Sequence, residues 1–414
     1  MPDLLIRGGR LLDLASNIDA VGDVLLRAGH IAAVGSVQSD GSEEVIEATG
    51  LLVTPGLIDM HVHLREPGQT HKETIASGTR AAAAGGFVTI ACEPNTTPPR
   101  DTPDRITEVV EMARRDAAVR VLPKCCITRE QQGREVADLA AMRRIGAVAA
   151  SDDGRSVDDD AVMRQAMIAA KAAGIPLTVH VDELRMVERD IALASEFSYA
   201  VHFSHVSLEA EVELIAEAQR RGLHVTGEAT PHNLSLCADD APGGDANYKM
   251  NPPLRSARDR EALRGALRDG VITVIASDHA PHAPSEKALP YGDAPPGVIG
   301  LETTIGVIWT DLVGRGLLSE AAAVLAMTAA PADVLKIDRP ALRIGARADV
   351  TLIDPRAEWV VEPERFESLS RNCPFAGRRL RGRAVGTIVA GQIVMRDGVV
   401  RRDARQRISV GDKA

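Results

Sequence analysis

The chain has 414 residues, 45% hydrophobic and 26% charged, enough apolar matter for one large domain and a smaller one. A formal net charge of −10 argues against a nucleic-acid or anionic-membrane surface, both of which need clustered Lys and Arg, and 2% aromatics argues against a stacking platform for bases or sugars. No apolar run reaches the roughly eighteen residues of a membrane span, and "MPDLLIRGGRLLDL" lacks a signal peptide's basic flank and cleavage site, so a cytoplasmic protein is expected.

From the N-terminus, "LLIRGGRLLDL", "DVLLRAGHIAAVG" and "EVIEATGLLVTPG" are short β-like runs divided by glycines. The middle of the chain alternates short apolar runs with helical stretches, the pattern of βα units and a parallel sheet. The first run ends at His61–His63; seven more follow at 87–92, 119–125, 146–151, 176–181, 200–205, 223–228 and 271–277. Amphipathic stretches at 103–117, 130–143, 158–173, 207–220 and 257–269 lie between them. Eight such strands predict a (β/α)8 barrel, in the α/β class. A doubly wound open sheet is the fallback, but no Gly-rich phosphate loop follows any strand. The tail, "ADVTLIDP" and "AVGTIVAGQIVMRDGVV", returns to sheet, and the basic cluster "GRRLRGR" at 377–383 reads as a solvated turn between strands. The five cysteines, Cys92, Cys125, Cys126, Cys237 and Cys373, lack metal-binding spacing and read as buried free thiols.

Barrel enzymes carry their chemistry at the C-terminal ends of the strands. Those ends hold His61 and His63, Glu93 and Asn95, Lys124, Asp152 and Asp153, His180, His205, Glu228, and Asp278 with His279 and His282. Side chains alternate along a strand, so His61 and His63 share a face and can grip one cation. An H-x-H alone is weak, but several strand ends with His or Asp make a metal site. Imidazole and carboxylate without thiolate suit Zn2+ or a similar divalent ion, and there are too many ligands for one catalytic metal, so two are expected. A bridging carboxylate holds such a pair about 3.5–4 Å apart and water between them is acidified toward a pKa of about 7. Asp278, at the end of the last strand, is placed to move the proton to a leaving nitrogen. Within "SDDG" one aspartate reads as a turn cap. His30, His202 and His224 read as packing or surface residues, Lys124 as snorkelling or ion-paired, and Glu228 as a buried hydrogen-bonding partner.

The ordered segments "DMHVHLREPG", "EPNTTP", "SDDG", "VHVDE", "HFSHVS", "YKMNPPLR" and "SDHAPH" resemble class I dihydroorotases of the amidohydrolase superfamily, over essentially the whole chain. The resemblance implies a composite β-sandwich from 1–54 and 340–414 around a metal-dependent barrel of 55–339. It implies His61 and His63 on one metal, His180 and His205 on the other, Asp153 bridging, and Asp278 as metal-bound general base and acid. Arg65, Asn95 and His282 would bind the substrate's free carboxylate, while Asn251 and the backbone at Pro296 and Gly297 contact its ring. The implied reaction interconverts N-carbamoyl-L-aspartate and L-dihydroorotate in pyrimidine biosynthesis, using two zinc ions in a homo-oligomer, with aspartate transcarbamoylase as a possible protein partner.

Three departures from the resemblance stand out. The connection between His180 and His205, "VDELRMVERDIALASEFSYA", is short; Thr230-Pro231-His232-Asn233 replaces "TPHH"; and Pro296 stands where an aromatic is expected. Hydantoinases and allantoinases share the barrel but bridge their metals with a carboxylated lysine on the fourth strand. "GAVAASDDG" has no lysine, and Lys124 on the third strand is the nearest candidate. A non-catalytic scaffold for aspartate transcarbamoylase is the remaining rival, and such homologues lack the ligands.

Overall fold

The computed structural model describes residues 3–39 and 41–402; residues 1–2, Asp40 and 403–414 of the expected sandwich segments lie outside it. Five strands open the chain: β1 (Leu4–Asp13), β2 (Ile18–Arg27), β3 (His30–Gly35), β4 (Glu44–Glu47) and β5 (Leu52–Pro55). The barrel strands are β6 (Leu57–Val62), β7 (Phe87–Cys92), β8 (Arg120–Pro123), β9 (Leu177–Val179), β10 (Val201–Phe203), β11 (Val225–Ala229) and β12 (Val274–Ile275). The tail adds β13 (Val350–Val360), β14 (Arg379–Val389), β15 (Gln392–Arg396) and β16 (Val399–Val400).

Head and tail form one sheet in the order β16-β15-β14-β13-β5-β1-β2-β3, with β4 added beside β1. The join is the antiparallel pairing of β13 with β5, Val350 opposite Pro55 and Leu352 opposite Val53. Leu4, Ile6, Leu11, Val24, Val53, Val350 and Ile388 form its apolar core. The basic cluster is a turn only at its start, Gly377: Arg379–Arg383 lie within β14, where alternate residues are exposed and buried, so the period-2 pattern sends the arginines out and Leu380 in.

β6 to β8 and β9 to β12 are two parallel arcs. They close through isolated bridges, Cys125 to Ala150 to Leu177 on one side and Val62 to His279 on the other. The expected fourth strand at 146–151 is thus reduced to a bridge at Ala150, held by Cys125 N–H to Ala149 O (3.0 Å) and Thr178 N–H to Ala150 O (3.0 Å). Eight strand positions result, and β6 and β7 are buried along their whole length, as a barrel wrapped by helices requires.

Helix α1 (Ile75–Ala84) begins at a Thr74–Ser77 capping box. Helix α2 (Pro103–Asp116) has Pro at its first position, Asp104 in its first turn and Arg114–Arg115 in its last, and buries Ile106, Val109 and Ala113 at helical spacing. After a single 3-10 turn at Arg129–Gln131, the stretch expected at 130–143 is α-helical only as α3 (Leu139–Ile145), with Asp138 as its N-cap. Residues before it are held in a turn by a Thr128–Val136 bridge and by Gly133 at φ +67°, which apolar periodicity does not reveal. Helices α4 (Asp160–Ala173) and α5 (Leu184–Phe197) follow, α5 being the short connection between His180 and His205. Among the described residues no helix is long and apolar enough to cross a membrane.

Candidate active site

His61 and His63 leave β6 on one face, and six side chains from five segments meet there. Asp153 sits in the middle: its Oδ1 is 3.2 Å from His61 Nε2, 3.3 Å from His205 Nε2 and 3.4 Å from His180 Nδ1, and its Oδ2 is 3.4 Å from His63 Nε2. Asp278 Oδ1 lies 3.2 Å from His63 Nε2 and 3.6 Å from His61 Nε2. His180 Nδ1 and His205 Nε2 are 2.8 Å apart. All six residues are buried. Two triads meet the spacing of a cation site: His61, Asp153 and His205, and His61, His63 and Asp278.

The donor set fits divalent ions. Ligands about 2.0–2.1 Å from a tetrahedral centre stand roughly 3.3 Å from one another, and most of the separations above cluster there. His61 Nε2 is fully buried with no hydrogen-bond partner, an uncompensated lone pair at the centre of the cluster. The opposite ring nitrogens are held in place. Glu228 receives His61 Nδ1, Asn95 Oδ1 is 2.9 Å from His63 Nδ1, and Asp182 Oδ1 is 3.0 Å from His180 Nε2. Such outer partners fix each ring's tautomer and raise its basicity as a ligand. Burial alone would lower the His180 value, but Asp153 and Asp182 push it up to about 9. The protein has therefore placed excess negative charge where a cation would sit.

The pair in "SDDG" divides as a cap and a centre. Asp152 accepts from Ile127 N–H (2.8 Å), Thr128 N–H (3.2 Å) and the Thr128 hydroxyl, leaving Asp153 free for the cluster. Glu228 is a hydrogen-bonding partner: it also takes His202 Nε2 (3.2 Å) and the His205 N–H (3.2 Å). Lys124 is ion-paired, its Nζ against Glu93 Oε1 and 3.1 Å from Thr178 Oγ1, with both charges fully buried. All five cysteines are buried and free.

Beside the cluster, Arg65 donates from Nε to Pro281 O (3.1 Å), and its Nη2 lies 3.4 Å from His282 Nε2. Burial brings the guanidinium down to about 10, so it stays charged at neutral pH. Burial, then Arg65, Lys72 and Lys287, hold His282 down at about 3, so its ring is neutral and accepts from Arg65. Asn95 also donates from Nδ2 to Asp153 O (3.2 Å), one of the two N–H bonds that group can make. Asn251 Nδ2 stands 3.3 Å from His180 Nε2. The Gly297 N–H is spent on Lys249 O (2.8 Å) and its carbonyl accepts from Asn372 (2.9 Å), so neither backbone group of that residue points to a ligand unpaired. Sequence reasoning missed Asp182 and Asn372. The first had a signal, standing two residues past His180 on the same face; the second, 75 residues past Gly297, whose carbonyl it meets, had none.

The amidohydrolase family model matches residues 52–394. The chain belongs to the amidohydrolase family. Members of it are metal-dependent hydrolases, in keeping with the imidazole and carboxylate cluster just described. This amidohydrolase is 43% identical over 426 residues to a protein named dihydroorotase from Pelotomaculum thermopropionicum, covering 96% of this chain and all of that one. It is 45% identical to a protein of the same name from Anaeromyxobacter dehalogenans, covering 94% and 97%. Among solved structures, the L-hydantoinase (dihydropyrimidinase) from Arthrobacter aurescens superposes with a TM-score of 0.88 at 26% identity, covering 97% and 98% of the two chains. The dihydropyrimidinase from Brevibacillus agri does so at 0.86 and 24%, covering 96% of each, and shows the fold.

Proposed function

We propose that this amidohydrolase is a dihydroorotase, interconverting N-carbamoyl-L-aspartate and L-dihydroorotate in de novo pyrimidine biosynthesis. The observation that carries the reading is the convergence of His61, His63, Asp153, His180, His205 and Asp278 with a charged Arg65 beside them, in a chain whose full-length relatives bear that name. His61 and His63 would hold one zinc ion, His180 and His205 a second, with Asp153 shared and Asp278 on the first. When bound, the pair would supply an acidified water and polarise the ring carbonyl. The protein's own groups do the rest. Arg65, Asn95 and His282 receive the free carboxylate, as a rigid guanidinium fork favours. Asn251 and the Pro296–Gly297 segment would flank the ring, Gly297 by packing, since its N–H and carbonyl are already paired. Asp278 takes a proton from the attacking side and returns it to the leaving ring nitrogen, and in the biosynthetic direction the same groups run in reverse.

A lysine-bridged site of the hydantoinase kind finds no support, since Asp153 occupies the centre and Lys124 is tied to Glu93 and Thr178. The complete ligand set likewise favours an enzyme over a scaffold for aspartate transcarbamoylase. A homo-oligomer belongs to the same proposal, and sedimentation would test it. Protein loaded with zinc should open the ring of L-dihydroorotate and close carbamoyl aspartate. No turnover of either with zinc, manganese or cobalt would defeat the reading.

A further inference from the structure

We infer that Asn372 is a positioning residue that pins the loop after the last barrel strand to the loop carrying Gly297, and so sets the pocket for the substrate's carboxylate. The inference rests on the dihydroorotase reading for what that pocket receives, but not for the pin itself. Asn372 lies between β13 and β14, on a segment leading back toward the terminal sheet, yet its side chain is buried at the barrel mouth. Its Nδ2 donates to Ala280 O (3.0 Å) and to Gly297 O (2.9 Å), its Oδ1 accepts from the His282 N–H (3.3 Å), and its own carbonyl accepts from the Ile299 N–H (3.0 Å). The amide can take only one orientation there: a flipped group would set oxygen against two carbonyls and NH2 against an N–H.

The two loops are packed too closely for a side chain at Gly297. A Cβ on Gly297, at φ +140°, would meet Ala280 O at 2.8 Å and the His282 ring at 2.9 Å. The Ala280 N–H to Val298 O backbone bond and the Gly300 N–H bond to the His279 Nδ1 side chain join the loops as well, but neither reaches His282. Asn372 is the group that ties the His282 backbone to Gly297. The segment is itself firmly held. Glu73 accepts from the Ser368 hydroxyl and the Leu369 N–H (3.1 Å), Glu302 from the N–H groups of Glu367 (3.2 Å) and Ser368 (3.1 Å), and Ser370 donates to Lys72 O (2.8 Å). Because His282 faces Arg65 across 3.4 Å, a shift of its backbone opens the pair that would grip a carboxylate.

The test compares wild type, Asn372→Ala and Asn372→Asp. The aspartate keeps the shape and the acceptor but turns the donor into a carboxylate facing two carbonyls. Hydrogen exchange should quicken in both variants over 278–283 and 296–300 and stay unchanged over 57–63. KM for dihydroorotate should rise at least about tenfold with kcat altered less than about threefold, and metal content should match wild type. Unchanged exchange in the two loops overturns the inference, as does a loss that falls on kcat or on metal content with KM unmoved. If wild type itself fails to turn over dihydroorotate with any metal, the functional reading falls, and the exchange comparison still decides the pin.

Discussion

His61 illustrates how much a single side chain depends on its neighbours. Its Nδ1 meets Glu228 and its Nε2 is left bare beside Asp153, so a carboxylate more than 160 residues away in sequence decides which nitrogen faces the cluster. Glu228→Gln should lower metal affinity about 10–100-fold while the protein stays folded, as read by chelator competition. Asp278 is the only carboxylate of the cluster proposed to move a proton. Asp278→Asn should cut kcat by roughly 10²–10⁴-fold in ring-opening assays. His282 carries a pH consequence. Its value is about 3 in the fold against about 6.5 for a free imidazole, so between those limits the unfolded chain binds the extra proton. Its contribution to stability is whole above pH 6.5 and drains away as pH falls toward 3, with a slope of at most about 1.4 kcal/mol per pH unit. Denaturant titrations across that range should show the loss, and His282→Gln should flatten it.

At the level of elements, Lys124 and Glu93 link the ends of β8 and β7 inside the barrel, with Thr178 of β9 as the third partner. Removing one member of a buried pair strands the other charge, so Lys124→Met should cost about 3–5 kcal/mol in urea unfolding. Adding Glu93→Leu should restore most of it, because the desolvated carboxylate is then gone as well. Periodicity made the barrel's strands and the helices at 103–117, 158–173, 207–220 and 257–269 legible, since parallel strands buried on both faces read as continuous apolar runs. It overextended the helix at 130–143 and the strand at 146–151. The first is interrupted by a hydrogen-bonded turn around Thr128 and Gly133, and the second bonds to its neighbours from Val148 to Ser151 but forms a regular bridge at Ala150 alone. Neither limit is a matter of hydrophobicity, so neither was visible in it. "GRRLRGR" failed differently: charged residues alternating with a buried Leu380 are a strand's signature as much as a turn's.

For the whole molecule, the cluster gathers carboxylates and imidazoles in a buried space where a cation held by them would favour the folded state. Metal loading should therefore raise the unfolding midpoint, by an amount that grows with the logarithm of free metal above its dissociation constant, and a chelator should reverse both the gain and the activity. Calorimetry with and without zinc would check it. The sequence alone determined which chemical groups stand at the strand ends and that they alternate onto one face, because strand period and βα order are local properties. Asp153 as the central carboxylate was already implied by the resemblance, whereas which ring nitrogen points inward and that Asn372 reaches back from beyond β13 were decided by closure of the barrel. Those are contacts between residues tens to hundreds apart, set by three-dimensional packing and hydrogen-bond partners that no local pattern records.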